Sequence, residues 1–151
     1  TFTPPRWYIF TLPLTEKVEP NSIKMKQTFK SNSEDLVSKI KIFEYLKKWA
    51  RAWENHDIES YFSFYSKKFT GLKNRHLDWK NSRQLAFNKN TNIFIDIKNI
   101  QIFNKNDVAK TSFIQTFKSD KYSDIGIKEL FWVKYGPDWR ITSELWFPIK
   151  K

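Results

Sequence analysis

The chain has 151 residues, 27 Lys plus Arg against 16 Asp plus Glu, and a formal net charge of +11. That length suits one domain with a sizeable core, and an aromatic content of 18% argues against a disordered polycation. With no cysteine, disulfides, thiolate metal sites and a Cys nucleophile are excluded from this chain, and no stretch is long and apolar enough to span a membrane.

The charge suggests an anionic partner such as nucleic acid, anionic lipid or wall polymer. The composition argues against specific nucleic-acid recognition. Arg6, Arg51, Arg75, Arg83 and Arg140 are the arginines; the other basic residues are scattered lysines, with no arginine-rich arm.

In chain order, residues 1–32 read as a linker or the tail of a preceding domain, and residues 33–151 as the domain itself. Pro4, Pro5, Pro13 and Pro20 punctuate the first segment, which begins on Thr1 without a signal-peptide pattern. Within it, Trp7 to Phe10 reads as a short strand in need of a partner surface. A helix is expected from an N-cap at Ser33, with Leu36, Ile40, Phe43, Leu46, Ala50 and Trp53 on its buried stripe and Trp49 widening it. Asn55-His56 ends this helix and Asp57 caps a second one carrying Ile58, Tyr61, Phe62 and Tyr65. A third short helix includes Trp79, Arg83, Leu85 and Phe87.

From Asn92 the period becomes two. Ile93, Ile95 and Ile97 alternate with polar residues, then slip at Asn99 and resume on Ile100 and Ile102, as a β-bulge would require. Asn104 to Asp107 reads as a turn. Val108–Lys118 follows as a strand with Thr111, Phe113, Gln115 and Phe117 on one face, and Ser119–Asp124 as a loop. Ile127–Tyr135 and Trp139–Phe147 form a last hairpin around Gly136-Pro137-Asp138. Helices followed by a four-stranded antiparallel meander make an α+β domain, with the helices on one face of a curved sheet and a pocket between.

In that hairpin, a three-residue turn places Tyr135 opposite Trp139, Trp132 opposite Thr142, Leu130 opposite Glu144 and Lys128 opposite Trp146. Lys128, Glu144 and Trp146 then share one face. His56 and His76 have no metal-ligand spacing between them, no carboxylate cluster compensates, and neither a metal nor a cofactor is expected. Asp120 and Asp124 flank Tyr122, as turn caps or as a pocket rim.

The pattern Trp49-x-x-Ala52-Trp53-x-x-x-Asp57 with Tyr61-x-x-x-Tyr65 resembles the nuclear transport factor 2-like (SnoaL-like) superfamily of cone-shaped domains. A second block is Phe113-x-Gln115-x-Phe117-x-Ser119-Asp120, Tyr122-Ser123-Asp124-x-Gly126-x-Lys128-x-Leu130 and Trp139-Arg140-Ile141-x-x-Glu144-x-Trp146. It is similar to one branch of that superfamily, the C-terminal accessory domain of L,D-transpeptidase-like L,D-carboxypeptidases that trim wall peptides and set bacterial cell shape. The resemblance implies a non-catalytic domain that binds or positions peptidoglycan or muropeptides. It also implies a covalently linked catalytic domain holding the Cys that this chain lacks, and a periplasmic or cell-envelope location. Its ligand residues would be Lys128, Glu144, Trp146, Gln115, Tyr61, Tyr65 and Trp49. Two alternatives stay open: a small-molecule isomerase, dehydratase or cyclase with Glu144 as base and Tyr61 or Tyr65 as donor, and a dimerisation module pairing through the convex sheet.

Overall fold

A computed structural model describes residues 22–149 of the chain. The Trp7–Phe10 strand expectation lies outside the described residues. Three helices, α1 (Ser22–Glu54), α2 (Ile58–Ser63) and α3 (His76–Lys89), precede four strands, β1 (Phe94–Lys105), β2 (Val108–Lys118), β3 (Ser123–Tyr135) and β4 (Asp138–Pro148). The sheet is an antiparallel meander in the order β1-β2-β3-β4.

Helix α1 is already under way at Ser33, so Ser33 is not its N-cap. Between Pro20 and Glu54 no proline or glycine interrupts the chain, and Ser and Asn inside a helix cost only tenths of a kcal/mol, about what good helix formers nearby offset. The buried stripe is also rotated from the expected one. Ile42, Leu46, Trp49, Ala50 and Trp53 are buried, whereas Ile40 is 46% exposed. Helix α1 ends at Glu54, and His56 takes a positive φ of 57° to turn the chain. Asp57 then caps α2 by accepting from the Ser60 amide at 3.2 Å.

Period-two burial runs through β1 and β2. Ile95, Ile100 and Ile102 face the helices from β1; Ala109, Thr111, Phe113, Gln115 and Phe117 do so from β2. The slip at Asn99 is present, with φ 54° there and a register shift between Lys98 and Gln101. The β1–β2 turn is tighter than expected. Lys105 pairs with Val108, leaving Asn106-Asp107 as the turn and Asn104 in the strand. Two bonds fasten α1 across the sheet: the Asn104 amide donates to the Asp35 carbonyl (2.9 Å), and the Ile95 amide to Glu54 Oε2 (3.0 Å).

The last hairpin corrects two expectations. Tyr135 pairs with Asp138, not Trp139, because Gly136 adopts φ 60° and permits a two-residue turn. Trp132 faces Ile141, not Thr142, since the register shifts between Phe131 and Trp132 and Thr142 becomes the extra residue of a bulge. The two departures cancel beyond the bulge, where Leu130 still opposes Glu144 and Lys128 still opposes Trp146. Beside the bulge, the chain after α2 runs along the free edge of β4. The Ile141 amide donates to the Phe64 carbonyl (2.7 Å) and the Ser66 amide to the Ile141 carbonyl (2.8 Å).

Candidate functional site

The interior of the cone is aromatic. Trp49, Trp53 and Tyr61 pack edge-to-face or stacked with one another, and Phe113 and Phe117 close the sheet side. Burying so many rings leaves few places for polar atoms, so the polar groups found there stand out.

The bulge at Thr142 sets the geometry. Trp139 and Ile141 point into the core; without an extra residue the next inward positions would be Ser143 and Leu145. With it, Glu144 and Trp146 turn inward while Ser143 and Leu145 are exposed. The strip formed by Phe64–Ser66 brings Tyr65 against this part of β4.

At the centre, Glu144 is held by two cations. Lys128 Nζ lies 3.8 Å from Oε2 and Arg83 Nη2 lies 3.8 Å from Oε1. Lys128 is 8% exposed, and its ammonium also sits 5.4 Å from the Trp146 ring centroid. Burial pushes the Lys128 ammonium below its ordinary value; Glu144 pulls the other way, and Arg83 adds to the lowering. Tyr65 reaches Glu144 Oε2 at 3.4 Å and the Tyr61 hydroxyl at 3.0 Å, while the Trp49 indole N–H donates to Tyr65 at 3.0 Å. Burial, then the Glu144 charge, raises the Tyr65 hydroxyl well above its usual value, so it stays a neutral donor. Gln115 is 3% exposed, and its Oε1 has no hydrogen-bond partner. An unpaired buried amide oxygen is costly and is therefore poised to accept an N–H.

Gly126 makes the lid over Lys128 feasible. A Cβ there would lie 2.7 Å from Trp146 Cζ2 and 2.6 Å from the Phe147 carbonyl oxygen, so only glycine lets the Trp146 indole lie across the strand.

The structure thus brings Lys128, Glu144, Trp146, Tyr65 and Tyr61 into one constellation, with Gln115 on the adjacent strand. Trp49 is wholly buried and acts through Tyr65. Sequence reasoning missed Arg83 as a site residue. A signal existed: Trp79, Arg83 and Phe87 are spaced by four on α3, and Trp79 and Phe87 are buried, so the guanidinium lies on the inward face. Tyr61, Tyr65 and Glu144 together raise the Arg83 pKa further, and it remains a cation.

At the rim, Asp120 accepts from Asn92 Nδ2 (3.0 Å) and from the Thr91 hydroxyl, which ties the β2–β3 loop to the chain entering β1. Asp124 has its carboxyl raised by burial, with Lys128 opposing. His56 and His76 each bond a backbone carbonyl, of Asn90 (2.6 Å) and Phe69 (2.5 Å) respectively. Among the described residues no group of three or more His, Asp or Glu is arranged to hold a metal, and no helix is long and apolar enough to cross a membrane.

Residues 41–145 match the Cds6 C-terminal NTF2-like domain family. Among solved structures, the chain is similar to Bd1075 of Bdellovibrio bacteriovorus: 27% identity, TM-score 0.68, covering 87% of this chain and 44% of that one. It is also similar to a variant of the helical cell shape determining protein Pgp2 of Campylobacter jejuni, with 22% identity, TM-score 0.60, and 67% and 38% of the two chains covered. A dehydratase candidate of the NTF2-like family from Streptomyces avermitilis shares the fold at 11% identity, TM-score 0.64, with 74% and 97% covered. The chain therefore spans less than half the length of the Bd1075 and Pgp2 chains. No curated protein matches the sequence. The chain belongs to the Cds6 C-terminal NTF2-like domain family.

Proposed function

We propose that this NTF2-like domain binds peptidoglycan stem peptides without cleaving them, and positions murein for a catalytic domain linked to it. The observation that carries the reading is the pairing of a buried cation, Lys128, and a half-buried one, Arg83, with one carboxylate, Glu144. Two cations contact one carboxylate in an aromatic, poorly hydrated setting, with Asp124 a more distant counter-charge to Lys128, and this favours an anionic group on a ligand. A stem-peptide carboxylate would take up the uncompensated charge at Lys128 and Arg83. A peptide N–H or the amine of a diamino acid would find Glu144 and the unpaired Gln115 Oε1. Trp146, over Lys128, offers a face for the peptide or sugar. The likeness to Pgp2, a cell shape determinant, supports the same reading and a place in the cell envelope.

A second reading is favoured by one observation, the hydrogen-bonded run from Tyr61 through Tyr65 to Glu144, which resembles the donor and carboxylate of an isomerase or dehydratase. Against it, a general base needs a free carboxylate facing substrate, and both Glu144 oxygens are drawn to cations.

Retention on purified murein sacculi tests the proposal. Wild type should be retained, and a Lys128→Ala, Glu144→Gln double variant of unchanged circular dichroism should pass through. Equal retention of the two would overturn the assignment of the site.

A further inference from the structure

A concave surface lies where the end of α2 and the segment after it meet the start of α3 and the β3–β4 turn. It is a groove of about 680 Å³. Tyr65 lines it and also belongs to the interior constellation; Lys128, Glu144 and Arg83 do not line it. Four cations, Lys67, Lys68, Lys80 and Arg140, face two carboxylates, Glu59 and Asp138. Asp138 is already engaged: it accepts from the Tyr45 hydroxyl at 2.8 Å and pairs with Arg140 at 3.7 Å and Lys41 at 3.8 Å. Lys67 and Lys68 are exposed, and no ion pair occupies either among the described residues. Lys80 lies 4.9 Å from the Phe62 ring centroid, which fixes its ammonium beside an apolar surface.

The groove also contains neutral groups suited to hydroxyls. Ser66 is 6% exposed; its Oγ accepts from the Lys68 amide at 3.2 Å, so its own proton remains to be donated. His76 Nδ1 donates to the Phe69 carbonyl at 2.5 Å, because a carbonyl only accepts, and Nε2 is left out of that bond. Phe62 and the half-exposed Tyr135 supply flat apolar faces.

Lysines for an acid group, a hydroxyl donor and an imidazole nitrogen for ring hydroxyls, and aromatic faces for a pyranose ring together describe one ligand chemistry. We infer that this groove is a site for carboxylate-bearing sugars, separate from the interior peptide site. The inference rests on the groove alone and stands whether or not the interior binds stem peptides.

Isothermal titration of the 151-residue chain with tetragalacturonate tests it, with maltotetraose and inorganic phosphate as parallel ligands. Tetragalacturonate should bind saturably, and the other two at least about fivefold more weakly. A Lys67→Gln, Lys80→Gln double variant should lose about fivefold in affinity. A control removing the same charge elsewhere, Lys48→Gln with Lys105→Gln, should lose less than about twofold, and Lys128→Ala should change nothing. Equal losses in the groove and control variants would reduce the effect to general attraction by a basic surface and overturn the site. Phosphate binding as tightly as the sugar acid would also overturn it, leaving a simple anion site. Loss of sugar-acid binding in Lys128→Ala would place the ligand in the interior instead.

Discussion

Replacing Glu144 by Gln removes the shared partner of the buried Lys128 and the half-buried Arg83, and its consequence for stability follows from the geometry. Each cation lies 3.8 Å from a carboxylate oxygen. At an effective dielectric of about 20, each attraction is worth roughly 4 kcal/mol before desolvation is charged against it. At Lys128 burial, with Arg83 adding to it, outweighs that attraction, since the ammonium lies below its ordinary pKa despite Glu144. In Glu144→Gln both cations stay and repel each other without compensation. Breaking a buried pair by removing one partner costs about 3–5 kcal/mol, and partial exposure of Arg83 relaxes this to roughly 2–3 kcal/mol. Lys128→Met removes a charge that the fold already disfavours and leaves Glu144 paired with Arg83, so it should cost under about 1 kcal/mol. Urea denaturation of the three proteins at pH 7 reads both values. If Lys128→Met costs as much as Glu144→Gln, the picture of one carboxylate shared by two cations is wrong.

Four further outcomes are expected. For pH, the folded Lys128 amine sits below its unfolded value, so in the window between them the unfolded state binds more protons and stability rises with pH; below that window the penalty is fully present. Lys128→Met lacks this rise, so its stability relative to wild type should fall as pH approaches about 10, as paired urea titrations would show; a constant difference would contradict the lowered pKa. Gly126→Ala should cost about 1–3 kcal/mol by forcing the Trp146 indole from its place, and a shift in indole fluorescence would accompany it. Ile42→Ala should cost about 2–4 kcal/mol, and Ile40→Lys less than about 0.5 kcal/mol, in thermal melts, because Ile42 is wholly buried and Ile40 is not. Trp49→Phe keeps the ring packing but removes the N–H that Tyr65 accepts; a loss of about 1–2 kcal/mol in urea denaturation is expected, with Tyr65→Phe partly masking it in a double-mutant cycle.

Much of the fold was legible because its signals are periodic. The spacing of Leu46, Ala50 and Trp53 and the alternation of Thr111, Phe113, Gln115 and Phe117 each identify a buried face. The bulge at Asn99 was legible since isoleucines flank the slip on both sides. The bulge at Thr142 was not, because Leu145 and Phe147 continue the alternation of Trp139 and Ile141 as an unbulged strand would, yet both are exposed. The pairing of Glu144 with Leu130 and of Trp146 with Lys128 is still the expected one, because an overlong turn compensates for the missing bulge. Ile40 was misplaced for a related reason. The helix carries two apolar rows, Leu36-Ile40-Phe43 and Ile42-Leu46-Trp49-Trp53, and it is the second that the structure buries. Arg83 illustrates another blindness: charge is read as surface unless something pairs with it, and its partners Glu144 and Tyr61 come from distant parts of the chain.

The central claim is that the interior constellation receives a stem peptide through a carboxylate. Isothermal titration of the chain with a purified disaccharide-tetrapeptide muropeptide tests it most directly. Saturable binding should appear near neutral pH, weaken as pH rises through the lowered Lys128 pKa, and fall at least about tenfold in Lys128→Met. Binding that is absent in the wild type, or equally tight in Lys128→Met at every pH, would contradict it.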